Sequence, residues 1–295
     1  MKAIILIPAL VSALAAQDPA PSLTERFKAE SPAINQLLAS QEGKQALAKT
    51  EALIPATKPE FDKSSPAKGL ASSTEFGTLM SIYTLAGKAA VASGDWEKAV
   101  SYFQKAKDSA VENYTGTLAA LAPAIEMWKK AETTGKTYLE EGAARRKELQ
   151  EKASRSESEE VELKNFQTHE DNVKKGPMAV KQLQGILDGL KDDSEHFDAP
   201  IGGIEKSIKA EKEQIDSPQF KGDKIKYVNA VLNPTNLATR PTLADKVGFV
   251  NRLLFLDPAN KKSLRELDVL LGKAAPEPKK MAPHKSKSKK KKKGN

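Results

Sequence analysis

The sequence predicts an all-α fold, and three observations predict it. Ala, Lys, Glu, Leu and Gln are abundant while aromatic residues make up only 5% of the chain, a balance that favours helix over sheet. No run shows the sustained alternation of β-branched and polar residues that a strand requires. Apolar residues instead recur three or four positions apart, as one buried face of a helix demands. At 295 residues there is ample length for a core, in one elongated array or two compact domains.

Residues 1–16 read as a secretory signal. Lys2 precedes an apolar run over 3–14, and Ala13-Leu14-Ala15 supplies a small-x-small cleavage site. The run is too short to span a bilayer, and Pro8 interrupts it. The chain contains no cysteine, which removes disulfides, thiolate chemistry, cysteine metal sites and lipid attachment together. An exported chain without disulfides suits a bacterial periplasm or cell surface. Residues 17–69 are then expected to hold a polar linker and a helix. Ser31-Pro32 has the pattern of an N-cap and first helical position, followed by a stripe of Ile34, Leu37, Leu38, Leu47 and Ile54. Pro55, Pro59 and Pro66 mark a second linker.

Region 70–130 is the centre of the prediction. Ser72, with Glu75 three residues on, has the pattern of a capping box. Two amphipathic stretches follow, joined at Gly94-Asp95. One aligns Phe76, Met80, Tyr83, Gly87 and Ala90; the other aligns Trp96, Ala99, Val100, Phe103, Ala106 and Ala110. Small residues fall where two helices would cross and large ones fill the space between, so a helical hairpin is expected. Leu118, Leu121, Ile125 and Trp128 continue the spacing past Pro123, where the helix is expected to kink or restart.

Region 131–216 predicts long charged helices, with breaks at 154–158 and at Gly176-Pro177. Two heptad-like seams lie within it, Val180, Leu183, Leu187, Leu190 and Ile201, Ile204, Ile208, Ile215, with Gly202-Gly203 read as a turn. They imply coiled-coil-like antiparallel helices, packed together as an arm. Region 217–273 predicts a short helix at 225–232, stopped by Asn233-Pro234, and then a pair at 242–256 and 260–273. Residues 274–295 are rich in Pro and Lys, hold almost nothing apolar to bury, and are expected to be disordered.

The hairpin resembles a tetratricopeptide repeat. Tyr83, Gly87, Ala99, Phe103 and Ala106 match that signature in register, and Gly94-Asp95-Trp96 matches its turn. Ala86 stands where the family has Leu, Ala90 where Tyr is common, and Val111 where a proline often closes the repeat. Phe255-Leu256-Asp257-Pro258-Ala259-Asn260, followed by Leu264, Leu267 and Leu271, is similar to half of another such repeat. The resemblance implies a protein-binding scaffold and not a catalyst. It places the partner face on first helices, at Ser81, Thr84, Lys88 and Val91. One repeat cannot bury its own faces, so the segments 34–54 and 118–128 are expected to cover it in an irregular array.

Catalytic, cofactor and metal sites are not expected. The three histidines, His169, His196 and His284, form no HExxH pair, and no nucleophile elbow, phosphate loop or dinucleotide fingerprint occurs. The acidic run from Asp192 to Asp198 lacks the alternation and central Gly of a calcium loop and is read as a solvated helix end. The basic end of the chain carries the other signal. Nine lysines and no acid lie in 279–295, which leaves the remainder at −1 against +8 for the whole chain. Lys285, Lys287, Lys289, Lys290, Lys291, Lys292 and Lys293 form the polyanion-binding candidate, and no aromatic interleaves them for base stacking. Two functions are therefore expected: an exported scaffold for a protein partner, or an envelope protein that binds anionic polymer, lipid headgroup or nucleic acid through its tail.

Overall fold

In a computed structural model, which describes residues 21–276, the first helix is set by Ser22 and not by Ser31. The Ser22 hydroxyl accepts from the Glu25 amide while the Glu25 carboxylate accepts from the Ser22 amide, two otherwise orphaned donors satisfied at once. Helix α1 (Leu23–Ala39) therefore runs straight through Pro32. A turn at Gln41, with φ of 62°, leads into α2 (Gly43–Glu51).

Helix α3 (Pro66–Ser93) starts at Ser65, with Pro66 in the first turn, where its missing N–H costs nothing. Ser72 is not a cap: it is buried inside α3, and its hydroxyl accepts from the Asp62 amide at 3.0 Å. The chain reverses at Gly94, whose φ of +85° lies in the left-handed region. Asp95 then caps α4 (Trp96–Glu141), a helix of 46 residues and so roughly 70 Å long. Pro123 neither stops nor restarts it, so 118–128 is part of α4, and the boundary drawn at 130 falls within one helix.

After α5 (Ala143–Glu151), Ser156 and Glu159 form a second capping box and open α6 (Glu157–Lys191), which runs through Gly176-Pro177. A 3-10 turn, Glu195–Phe197, joins it to α7 (Asp198–Asp216), and Gly202-Gly203 lie within that helix. The chain ends its described course with α8 (Lys224–Val231), α9 (Pro234–Ala238), α10 (Leu243–Leu256) and α11 (Lys261–Leu270). All-α is thus the observed class, with no strand among the described residues. Among those residues no helix is long and apolar enough to cross a membrane.

Helix α4 is the spine. Its first half packs against α3, and α6 and α7 return along it in antiparallel sense. The Lys107–Asp198 ion pair, at 2.5 Å, pins the start of α7 to the first half. Gly135, against the His169 carbonyl, lets α6 approach the second half closely. The main core gathers Ile34, Leu47 and Leu53 from the α1–α2 region, Ile82 and Ala86 from α3, and Ala99, Phe103 and Ala106 from α4. Each fully buried Ile, Leu or Phe there contributes on the order of 1.5–3 kcal/mol. The other face of the hairpin is closed by Phe197, Ile201 and Ile204, not by 118–128.

The two seams do not zip together. Leu183 and Leu187 pack on Leu121 and Ile125 of α4. The Ile201 seam divides: its first residues enter the main core, while Ile215 enters a second core with Phe220, Tyr227, Val228, Val250 and Leu253.

Candidate functional site

The signature residues meet at the hairpin. A Cβ on Gly87 would lie 2.8 Å from the Phe103 ring, so the glycine is what lets that ring sit between the helices. Ala90, Ala99 and Ala106 are fully buried around it. Tyr83 stacks on Tyr102 at 6.4 Å between centroids, and the Tyr102 hydroxyl donates to Glu51 at 2.7 Å. Burial, followed by that carboxylate, pushes the Tyr102 phenol up. At Gly94 a Cβ would come within 2.4 Å of the Asn251 backbone, so the turn also seats α10.

The four face residues divide. Ser81 and Thr84 donate to carbonyls one turn back on their own helix, Gly77 at 2.9 Å and Met80 at 2.7 Å. Lys88 and Val91 instead line a cleft of about 590 Å³ between the end of α3 and the C-terminal helices. Leu38 and Gln41 border it from the α1–α2 turn, Trp96 from α4, and Arg240, Pro241, Ala244 and Phe249 from α10 and the segment before it. Its walls are largely apolar, with two cations at the rim. The Arg240 guanidinium lies 3.6 Å over the Phe249 ring, and its Nη1 donates to the Asn236 carbonyl. Burial lowers the Arg240 pKa from the ordinary range. Asp245 also borders the cleft, but its carboxylate accepts from the amide and hydroxyl of Thr242, at 3.1 and 2.7 Å, and so caps α10.

Beneath the cleft lies an ion cluster that the sequence reading missed. Arg252, only 2% exposed, donates to Glu97 at 2.7 Å, to Glu211 at 2.6 Å and to the Gly94 carbonyl at 3.1 Å. Its guanidinium is flanked by Trp96 at 4.7 Å and Phe255 at 5.0 Å, so one wall of the cleft rests on it. Asn251 adds a bond to the Ala92 carbonyl at 2.7 Å. Burial opposes the charge on Arg252, yet the two carboxylates more than offset it and raise its pKa. The Arg252 bond in turn holds the Glu97 carboxyl below its usual range. A lone arginine inside Val250-Asn251-Arg252-Leu253-Leu254 was the available signal: a charge on an apolar helix face needs buried partners.

The remaining candidates are scattered. The acidic run closes α6 and opens α7, with Asp198 paired to Lys107. Among the described residues no group of three His, Asp or Glu could hold a metal ion. His169 lies 4.3 Å from the Tyr138 ring, far along α4 from the cleft, while His196 sits in the 3-10 turn. The signal in 1–16, His284 and the lysines from Lys285 to Lys293 lie outside the described residues. No family model matches the chain, and no curated protein or solved structure is detectably similar to it.

Proposed function

We propose that the chain is a non-enzymatic, exported scaffold of a bacterial cell envelope that docks another protein in the cleft between α3 and α10. One observation carries this reading: Lys88 and Val91, two residues of the face implied by the repeat resemblance, open onto the same cleft as Trp96 and Phe249. An apolar cleft with a few convergent polar groups is the usual form of a recognition site. Asp245 faces Arg240 electrostatically at the cleft, while Lys88 forms no salt bridge among the described residues, so the cleft favours a partner segment that sets an apolar side chain beside a carboxylate for Lys88. Export rests on the signal pattern of residues 1–16.

The absence of cysteine makes the test direct, because a single introduced thiol carries a crosslinker to one place. Lys88→Cys in the cleft is expected to capture a protein in the native envelope, and Lys164→Cys on α6 is not. Adding Val91→Arg, which keeps the helix but fills the cleft with charge, is expected to cut capture at least tenfold. Equal capture at both thiols, or capture indifferent to Val91→Arg, overturns the reading.

A further inference from the structure

Charge is divided unevenly along this molecule. Residues 21–216 hold 27 Lys and Arg against 32 Asp and Glu, a net of −5, whereas 217–276 hold ten against five, a net of +5. Three of the five acids of the second set are tied up locally, and the other two, Glu266 and Asp268, lie on α11. Asp223 caps α8, Asp245 completes the capping box that Thr242 opens at α10, and Asp257 accepts from the Asn260 side chain at 3.0 Å. Lys221, Lys224, Lys226 and Lys261 are exposed, and none of the four forms a salt bridge among the described residues; the Lys226 Nζ donates to the Gln219 carbonyl at 2.6 Å, and the charge of Lys224 helps lower the Glu97 pKa.

Apolar side chains stand among these cations. Ile225, between Lys224 and Lys226, is 59% exposed, and Leu264, one turn beyond Lys261, is 45% exposed. The two pairs belong to α8 and α11, which meet where Asn260 donates to Asn229 at 3.0 Å. Cations alone would suit any polyanion, with little discrimination. Exposed aliphatic side chains at the same place contribute nothing to a phosphodiester or sulfated sugar, which present no apolar layer. A headgroup layer takes both, the cations at phosphate level and the aliphatic groups at the acyl boundary.

We infer that the α8–α11 unit is a docking surface for an anionic phospholipid bilayer, entered by Ile225 and Leu264 and held by Lys221, Lys224, Lys226 and Lys261. The contact is peripheral, and none of these six residues lines the α3–α10 cleft. The inference stands independently of that partner.

Sedimentation of the full chain with phosphatidylcholine vesicles, with and without phosphatidylglycerol, tests it. Binding is expected with the anionic vesicles only, and to fall with added salt. A lysine near such a surface is worth about fivefold in binding, so changing all four to Gln, with the tail intact, is expected to weaken it at least tenfold. Four Lys→Arg changes are expected to keep it, which separates lost charge from lost folding. Ile225→Ser with Leu264→Ser is expected to weaken vesicle binding severalfold and leave binding to duplex DNA or dextran sulfate unchanged. The inference is overturned if the four-Gln chain binds like the parent while a chain ending at Pro278 does not, for then the tail alone binds. It is equally overturned if the two serines leave vesicle binding unchanged.

Discussion

The two halves of α4 share one helix but not one environment. The first half is enclosed by α3, α7 and the α1–α2 pair, and it buries Ala99, Phe103, Ala106 and Ala110. The second half meets α5 and α6. There Gly142 seats the Phe166 ring, the Tyr138 ring packs tilted against Phe166 with 5.0 Å between centroids, and ion pairs close the edges. Arg145 reaches Glu162 at 3.1 Å, Arg146 pairs with Glu170, and Lys152, with the Ser156 amide, holds the Glu159 carboxyl down at about 2. Solvent screens surface pairs of this kind, so they contribute little beside apolar burial. A helix is as stable as the number of its faces that are covered; its own propensities matter less.

The largest effect is expected where the two cores are tied together. Arg252→Ala strands Glu211, whose side chain is only 10% exposed, and leaves the Gly94 carbonyl without its donor. Removing one partner of a buried pair costs about 3–5 kcal/mol, so urea unfolding is expected to show a loss of about 4 kcal/mol. A loss under about 1 kcal/mol would mean that α10 is held by its apolar contacts and the Asn251–Ala92 bond, without need of the ion cluster.

A matched pair of truncations sharpens the contrast between the halves. Phe103→Ala is expected to lower global stability by about 3 kcal/mol, because its cavity opens in the shared core. Phe166→Ala is expected to open the arm locally, with hydrogen-exchange protection lost over 130–175 and retained over 76–110. Loss of protection in both regions on Phe166→Ala would show that the arm and the body unfold as one.

The smallest effect concerns acid. Arg252 depresses the Glu97 pKa, so this carboxylate contributes stability that is present above its ordinary value near 4.5 and lost as pH falls through the depressed one. Glu97 is half-exposed, which keeps the contribution modest. Unfolding measured from about pH 6 to about pH 3 is expected to fall less steeply in Glu97→Gln than in the parent. Identical slopes would place the acid sensitivity elsewhere.

Local grammar was the legible part. Helices begin at Thr242 and Asn260 where the sequence places them, α8 ends just before Asn233-Pro234, and the spacing around Gly87 and Phe103 describes a hairpin, all within one or two turns of chain; the short α9, which Asn233 caps, was not expected. The interior prolines were misleading for a physical reason. A proline forfeits one helical bond, at about 3 kcal/mol, and the faces that α1, α4 and α6 bury offset that at Pro32, Pro123 and Pro177. Cap selection failed for a related reason. Ser31 and Ser72 carry the same hydroxyl as Ser22 and Ser65, and only packing decides which of them faces a free amide.

The sequence by itself determined the helical class, the absence of thiol chemistry and the close-crossing hairpin, since each follows from composition or from neighbours a few residues apart. Tertiary structure decided the rest. Leu38, Val91 and Phe249 share a cleft, and Glu97, Glu211 and Arg252 share one buried charge cluster, across separations of up to about two hundred residues. No local pattern encodes such meetings, because the free energy that makes them is non-directional burial, summed over the whole chain.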